Sequence, residues 1–179
     1  MGIRHLYLAY LSHPSGDRSL YQLIRRHRCR LILEIGMGTG ERAARMIDVA
    51  RSRSTRGVQY TGIDQFEARG GEDGPGQSLK QMHRLLSASG AKVRLIPGDP
   101  FSALARSANQ IGHVDLLVVS DDVDPGAMDR AWFYVPRLLG EKTHVMGESV
   151  SSRGELIIRP VKRHVIEQHS HIAPPSRAA

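Results

Sequence analysis

Cysteine occurs once in this 179-residue chain, at Cys29, so neither an internal disulfide framework nor a cysteine-based zinc cluster can form. Cys29 sits just before an apolar run, where a small buried hydrophobe is expected. No apolar stretch approaches the roughly 20 residues that cross a bilayer, and the N-terminus lacks an apolar core followed by a small-residue cleavage site, so a cytoplasmic protein with no membrane partner is expected. Aromatic residues make up only 5% of the chain. None interleaves with the one dense basic run, Arg25-Arg26-His27-Arg28-Cys29-Arg30, as stacking platforms for unpaired bases would. Acidic charge is also in short supply. The formal charge of +7 raises the question of a nucleic-acid partner, but the basic run reads equally as a solvated helix end.

What is present is alternation. Five apolar, β-branched runs at 30–35, 58–63, 92–96, 114–119 and 143–147 are separated by segments of helical periodicity at 41–52, 78–89, 100–110 and 125–139, with an earlier helix at 19–28. That order predicts a parallel sheet covered by helices on both faces, a three-layer α/β/α sandwich. Gly90 reads as a helix stop, and Asp99 and Asp124 each precede a proline suited to a first helical position. The segment 67–76 is too rich in glycine to be anything but a loop, and 155–161 reads as a further strand with no room for a covering helix before it. One domain over 1–168 is expected, followed by a flexible tail at 169–179.

The strongest local feature is the strand 31–35 running into Gly36-Met37-Gly38-Thr39-Gly40, with a helix opening at Glu41. Glycines let the backbone turn sharply and let a ligand come close to it. A dinucleotide fold wants its last glycine three residues after the second; here that place is Glu41, whose carboxylate would face a pyrophosphate, so the loop suits a ligand with little or no phosphate. Asp64 closes the second strand, Gly98-Asp99-Pro100-Phe101 follows the third, and Ser120-Asp121-Asp122-Val123-Asp124 follows the fourth. Ligands of open α/β sheets collect beyond these carboxyl ends. Asp99 reads either as a ligand group or as an N-cap, and the acidic loop either as functional carboxylates or as exposed caps.

At Glu34, Gly36, Gly38 and Gly40 the sequence resembles class I methyltransferases, whose first motif is acidic-x-Gly-x-Gly-x-Gly. The resemblance spans roughly residues 20–148. It implies a Rossmann-like, mainly parallel sheet, shortened here at its C-terminal edge, and S-adenosylmethionine as cofactor. It also implies contacts from Glu34, Gly36, Met37, Gly38 and Gly40, with Asp64 and Gln65 at the ribose, Asp99, Pro100 and Phe101 at the adenine, and Ser120 nearby. The fourth-strand end together with 143–148 looks like the metal-dependent small-molecule O-methyltransferases of the catechol O-methyltransferase type. Those carry one aspartate after the fourth strand and an Asp-Asn pair after the fifth; this chain has Ser120 or Asp121 at the first place and Glu148-Ser149 at the pair. The resemblance therefore implies methyl transfer to a small-molecule acceptor, at oxygen, with Asp121 or Asp122 as base and Mg2+ or Ca2+ held by Asp121, Asp122 and Glu148. Two alternatives stay open: an RNA methyltransferase, and a non-catalytic S-adenosylmethionine-binding protein. A monomer or a homodimer fits, since an open sheet edge must be covered or paired. No Asn/Asp-Pro-Pro-aromatic tetrapeptide follows the fourth strand, and Cys29 lies far from the acceptor mouth, so amino methylation of bases and a cysteine nucleophile are not expected. The histidines and Trp132-Phe133 read as packing or solvent-facing residues.

Overall fold

The computed structural model describes Leu8 and residues 15–69, 77–152 and 154–171. Most of the segment 2–17, the greater part of the loop 67–76 and the tail from 172 lie outside the described residues.

Six strands form one sheet: β1 (Leu31–Ile35), β2 (Gln59–Asp64), β3 (Lys92–Pro97), β4 (Val114–Val119), β5 (Leu139–Val150) and β6 (Leu156–Pro160). Their order is β3-β2-β1-β4-β5-β6, parallel except for β6, which runs antiparallel to β5. The order reverses between β1 and β4, the point at which such sheets open a crevice for ligands. Helices α1 (Arg18–His27), α2 (Glu41–Arg53) and α3 (Leu79–Ser87) cover one face. The other carries α4 (Pro100–Ile111), α5 (Pro125–Ala131), a 3-10 segment (Trp132–Leu138) and α6 (Arg163–Ser170). Successive strand residues serve opposite layers, as a pleat requires: Ile32, Leu116 and Val118 pack under α1 to α3, while Leu33, Leu117 and Val119 pack under α4 to α6. The three-layer α/β sandwich expected from the sequence is the observed fold.

Local chemistry explains the element ends. Pro100 and Pro125 occupy first helical positions, and the preceding aspartates cap: Asp99 Oδ1 accepts from the Ser102 N–H at 3.0 Å and Asp124 Oδ2 from the Ala127 N–H at 2.6 Å. Ser78 and Gln81 form a reciprocal capping box on α3. The helix expected at 125–139 breaks after Ala131 into 3-10 geometry, because Pro136 offers no N–H and its ring crowds the carbonyl one turn back. β5 is longer than the expected 143–147, beginning at Leu139 and ending at Val150. α6 was not anticipated; its buried contact is Ile166, too little apolar surface to show a period. Cys29 is buried, as expected of a small core residue, and burial pushes its thiol up to about 12. His144 packs against the ring of His27 at 4.1 Å between centroids. Among the described residues no helix is long and apolar enough to cross a membrane.

Candidate active site

Two cavities lie beyond the carboxyl ends of the strands and meet at Asp122. One, of about 290 Å³, is lined by Ile63, Asp64, Gln65, Gly98, Pro100 and Val123, among others. The second, of about 340 Å³, runs along the glycine loop and the start of α2 to Ser120, Asp121 and Glu148.

The loop between β1 and α2 is folded by necessity. Gly36 adopts φ +80°, and a Cβ there would stand 2.6 Å from both Asp122 Oδ1 and Val123 Cγ2. The acidic loop after β4 therefore rests directly on the glycine loop, and only glycine fits between them. Gly40 sits at the N-cap of α2 in the same left-handed region, where a side chain would run into Met82.

Asp64 anchors this loop from β2. Only 6% exposed, it accepts N–H groups from Met37 (2.6 Å) and Gly38 (3.3 Å) on one oxygen, and from Gln65 (2.7 Å) and Phe66 (3.3 Å) on the other. Arg69 then lies across both oxygens, its Nη2 2.9 Å from each, while its Nη1 reaches Asp122 Oδ2 at 2.6 Å. A 3-10 turn (Phe66–Ala68), entered through Phe66 at φ +51°, carries the guanidinium to that place.

Glu34 is fully buried, and it faces the interior and not a cavity. Its oxygens take Arg42 Nε at 2.7 Å and the Tyr60 hydroxyl. Burial raises the carboxyl, while the Arg42 charge and these hydrogen bonds oppose the shift. Arg42 Nη1 continues to Glu148 Oε1 at 2.9 Å, and Glu148 Oε2 accepts from Ser120 Oγ at 2.6 Å and the Asp121 N–H at 3.3 Å. Burial pushes Glu148 up, but the Ser120 hydrogen bond and the Arg42 charge together hold it below the usual carboxylate range.

The expected site residues thus divide. Gln65, Pro100, Met37, Gly38, Ser120, Asp121 and Asp122 line the cavities, as does Glu148, and Gly36 and Asp64 line the smaller one. Glu34 is a buried partner of Arg42, whereas the sequence reading had it contacting the cofactor. Phe101 does not line either cavity: its ring lies 5.8 Å from that of Tyr134 with Arg130 above it, packed against the core under α4 to α6. The carboxylate of Asp99 is engaged as the α4 cap, which also lowers it against a smaller opposing effect of burial than its hydrogen bonds exert together. For the metal set, no group of three His, Cys, Asp or Glu side chains converges to hold an ion among the described residues. Both oxygens of Glu148 are taken by Arg42, Ser120 and Asp121, and Asp122 is taken by Arg69.

Sequence reasoning missed Asp17, Arg42, Arg45, Leu156 and Arg69 as cavity residues. One signal was available: a glutamate inside the run Leu-Ile-Leu-Glu-Ile must find a buried cation, and Arg42 lies just beyond the glycine loop. Asp17 had no comparable signal. It occupies the N-cap place of α1 yet caps no N–H; its buried carboxylate meets the Tyr21 hydroxyl at 3.2 Å instead. The basic run at 25–30 precedes the N-terminal end of β1, the opposite end of the sheet from both cavities, which does not favour RNA as the acceptor.

No family model matches the sequence, and no curated protein matches it either. Solved structures do. An O-methyltransferase from Bacillus cereus in complex with SAH superposes with a TM-score of 0.59 at 17% identity, over 84% of this chain and 66% of the other. The O-methyltransferase TomG from Streptomyces achromogenes, involved in tomaymycin synthesis and bound to SAM, gives 0.57 at 17% identity, over 84% and 67%. MycE from the mycinamycin biosynthetic pathway, with Mg and SAH, gives 0.53 at 18% identity, over 82% of this chain and 38% of that one. This chain spans just under two thirds of the length of the Bacillus cereus protein. The fold is that of the class I methyltransferases.

Proposed function

We propose that the chain is an S-adenosylmethionine-dependent methyltransferase acting on an oxygen of a small molecule. The observation that carries the reading is the Asp64 carboxylate. It stands at the end of β2 on the wall of the smaller cavity, beside Gly36, Ile63, Pro100 and Val123, with both oxygens facing the Arg69 nitrogen that holds the place of a vicinal diol.

The residues fit such a cofactor. Gly36 leaves the backbone bare at the crevice, Gln65 and Asp64 meet the ribose, and Ile63, Pro100 and Val123 provide an apolar slot for a flat base. Arg69 occupies the diol position and has to leave Asp64 when the ribose enters. The methionine end then extends past Asp122 into the larger cavity, toward Ser120 and Arg42. Bound there, S-adenosylmethionine supplies a methyl group already activated by its sulfonium; an acceptor oxygen takes it in line as the carbon–sulfur bond breaks and the electron pair stays on sulfur. Holding two reactants at the right distance supplies most of the rate in such a displacement. Asp121, exposed on the rim of the larger cavity, is the group placed to receive a proton from an acceptor hydroxyl.

Titration calorimetry with S-adenosylhomocysteine tests this. Wild type is expected to bind, and Asp64→Asn to bind roughly tenfold or more weakly, since charge-assisted hydrogen bonds contribute about 1.5 to 3 kcal/mol each. Folded wild-type protein that does not bind at millimolar ligand would end the methyltransferase reading.

A further inference from the structure

The larger cavity is built around a charge chain that ties four elements together. A carboxylate inside a strand with apolar neighbours requires a desolvated cation, and Glu34 on β1 finds Arg42 from the first turn of α2. Arg42 does not stop there. Its planar fork offers donors in several directions at once, and the second arm holds Glu148 of β5 at 2.9 Å. Glu148 in turn receives Ser120 and the Asp121 N–H from the end of β4. The third nitrogen of Arg42, Nη2, donates to the Gly36 carbonyl at 3.4 Å, and the side chain, 14% exposed, lines the cavity.

This is the place at which metal-dependent O-methyltransferases carry their carboxylate and carboxylate–amide ligands, and here the donor set does not suit a divalent ion. Of Ser120 and Asp121, it is the Ser120 hydroxyl that meets the Glu148 carboxylate, and Ser149 stands at the amide place. Of the carboxylates in this cavity, Glu148 is already paired with a fixed cation and hydrogen-bonded on both oxygens, Asp122 is held by Arg69, and no three His, Cys, Asp or Glu side chains converge among the described residues. A hard divalent ion takes six or more oxygen ligands, and to reach Glu148 it would have to approach a guanidinium of like charge.

We propose that Arg42 takes the place of the divalent cation in this chain: its guanidinium, fixed by Glu34 and Glu148, is a permanent cation built into the wall of the acceptor cavity where the metal would lie. The acceptor is then a compound with a single acidic hydroxyl, of the phenol or carboxylic acid class, whose oxygen approaches the cavity-facing surface of Arg42. A vicinal diol that must chelate an ion is not required. The acceptor hydroxyl loses its proton to Asp121 or to water, its oxygen forms the new bond to the methyl carbon, and the sulfur departs with the electron pair of the broken bond. The assignment rests on the methyltransferase reading above.

The test is titration calorimetry of the wild-type protein with S-adenosylhomocysteine and, separately, with MgCl2 and with CaCl2. The expected result is binding of the first and no saturable heat from either metal at millimolar concentration. Saturable metal binding by wild type that Glu148→Gln abolishes would overturn the proposal. Absence of S-adenosylhomocysteine binding would instead remove the methyltransferase reading, with the metal titration still judging the charge chain. Arg42→Met frees Glu148 and is expected to make the melting temperature rise with Ca2+. Arg42→Gln, which removes the charge but keeps a polar side chain beside Glu34, carries the same readout if the methionine variant does not fold. Melting temperatures indifferent to Ca2+ in both variants would show that Arg42 is not what excludes the metal, and would overturn the proposal.

Discussion

Arg69 lies against Asp64 with a single nitrogen, Nη2, equidistant at 2.9 Å from the two carboxylate oxygens, while its other nitrogen spans the cavity to Asp122. The guanidinium thus copies the two donors of a ribose diol and bridges the two walls between which the adenosyl group is proposed to lie. The Asp64 and Asp122 hydrogen bonds raise Arg69 further above its ordinary value, against the opposing effect of burial.

Removing Arg69 is therefore expected to favour the ligand. The Arg69 side chain is 27% exposed, and pairs of this kind contribute about 0 to 1 kcal/mol once solvent screening is included. Arg69→Ala should bind S-adenosylhomocysteine up to about fivefold more tightly than wild type. Raising the salt concentration should narrow the difference, because screening weakens the Arg69 pairs in wild type alone. Weaker binding by the alanine variant would mean that Arg69 holds the ligand and does not compete with it.

Gly36→Ala tests the close fit of the two loops. The new methyl group would stand 2.6 Å from Asp122 Oδ1 on a backbone at φ +80°. The left-handed backbone costs about 1 to 2 kcal/mol for a residue with a Cβ, and overpacking adds about 1 to 3. Differential scanning calorimetry should show a loss of roughly 4 to 20 °C. Binding of S-adenosylhomocysteine should be lost even at temperatures where the variant remains folded, because the Asp122 loop is displaced.

The lowered Glu148 carboxyl gives stability with a definite pH signature. A group depressed in the folded state stabilises fully above its unfolded value, about 4.3 for glutamate, and loses that contribution as pH falls through the folded value. Glu148→Gln should cost about 1 to 3 kcal/mol at neutral pH, as expected for hydrogen bonds to a charged group. Urea denaturation of the two proteins should give midpoints that converge below about pH 4. A gap that stays constant down to pH 3 would mean that Glu148 is not ionised in its pair.

A stabilising change is also available. Arg28 ends α1 as an exposed C-cap with φ 54° and ψ 42°. Glycine adopts that conformation freely, though it also adds entropy to the unfolded chain. Arg28→Gly should gain about 0.5 to 1 kcal/mol, readable as a rise of roughly 1 to 4 °C in melting temperature.

The sheet was readable in the sequence because β1, β2 and β4 are apolar runs of strand length whose ends carry Gly36, Asp64 and Ser120 in one row. The order β3-β2-β1-β4-β5-β6 was not part of that reading, because right-handed parallel connections narrow the possible orders without choosing among them. The acceptor side was less readable. Arg42 falls at a helix position that composition alone marks as solvent-facing, and only the matching need of Glu34 draws it inward. Asp17 and Leu156 reach the same cavity from elements far apart in sequence, and no periodicity records such a meeting. Phe101, expected at the adenine, packs beside Tyr134 against the core, a contact between residues 33 positions apart that no local pattern records.

The larger cavity has a wall that belongs to no single element. Asp17 stands on a 3-10 turn (Ser15–Asp17) and Leu156 on the edge strand β6, and the two meet so closely that a Cβ on Gly16 would come 2.6 Å from the Leu156 carbonyl oxygen. That seam has to be closed for the acceptor chamber to have a boundary. Fraying of β6 carries the boundary away with it, so amide exchange along the hairpin reports the lifetime of the chamber itself, and the unzipping of one edge strand sets how often its far side stands open to solvent.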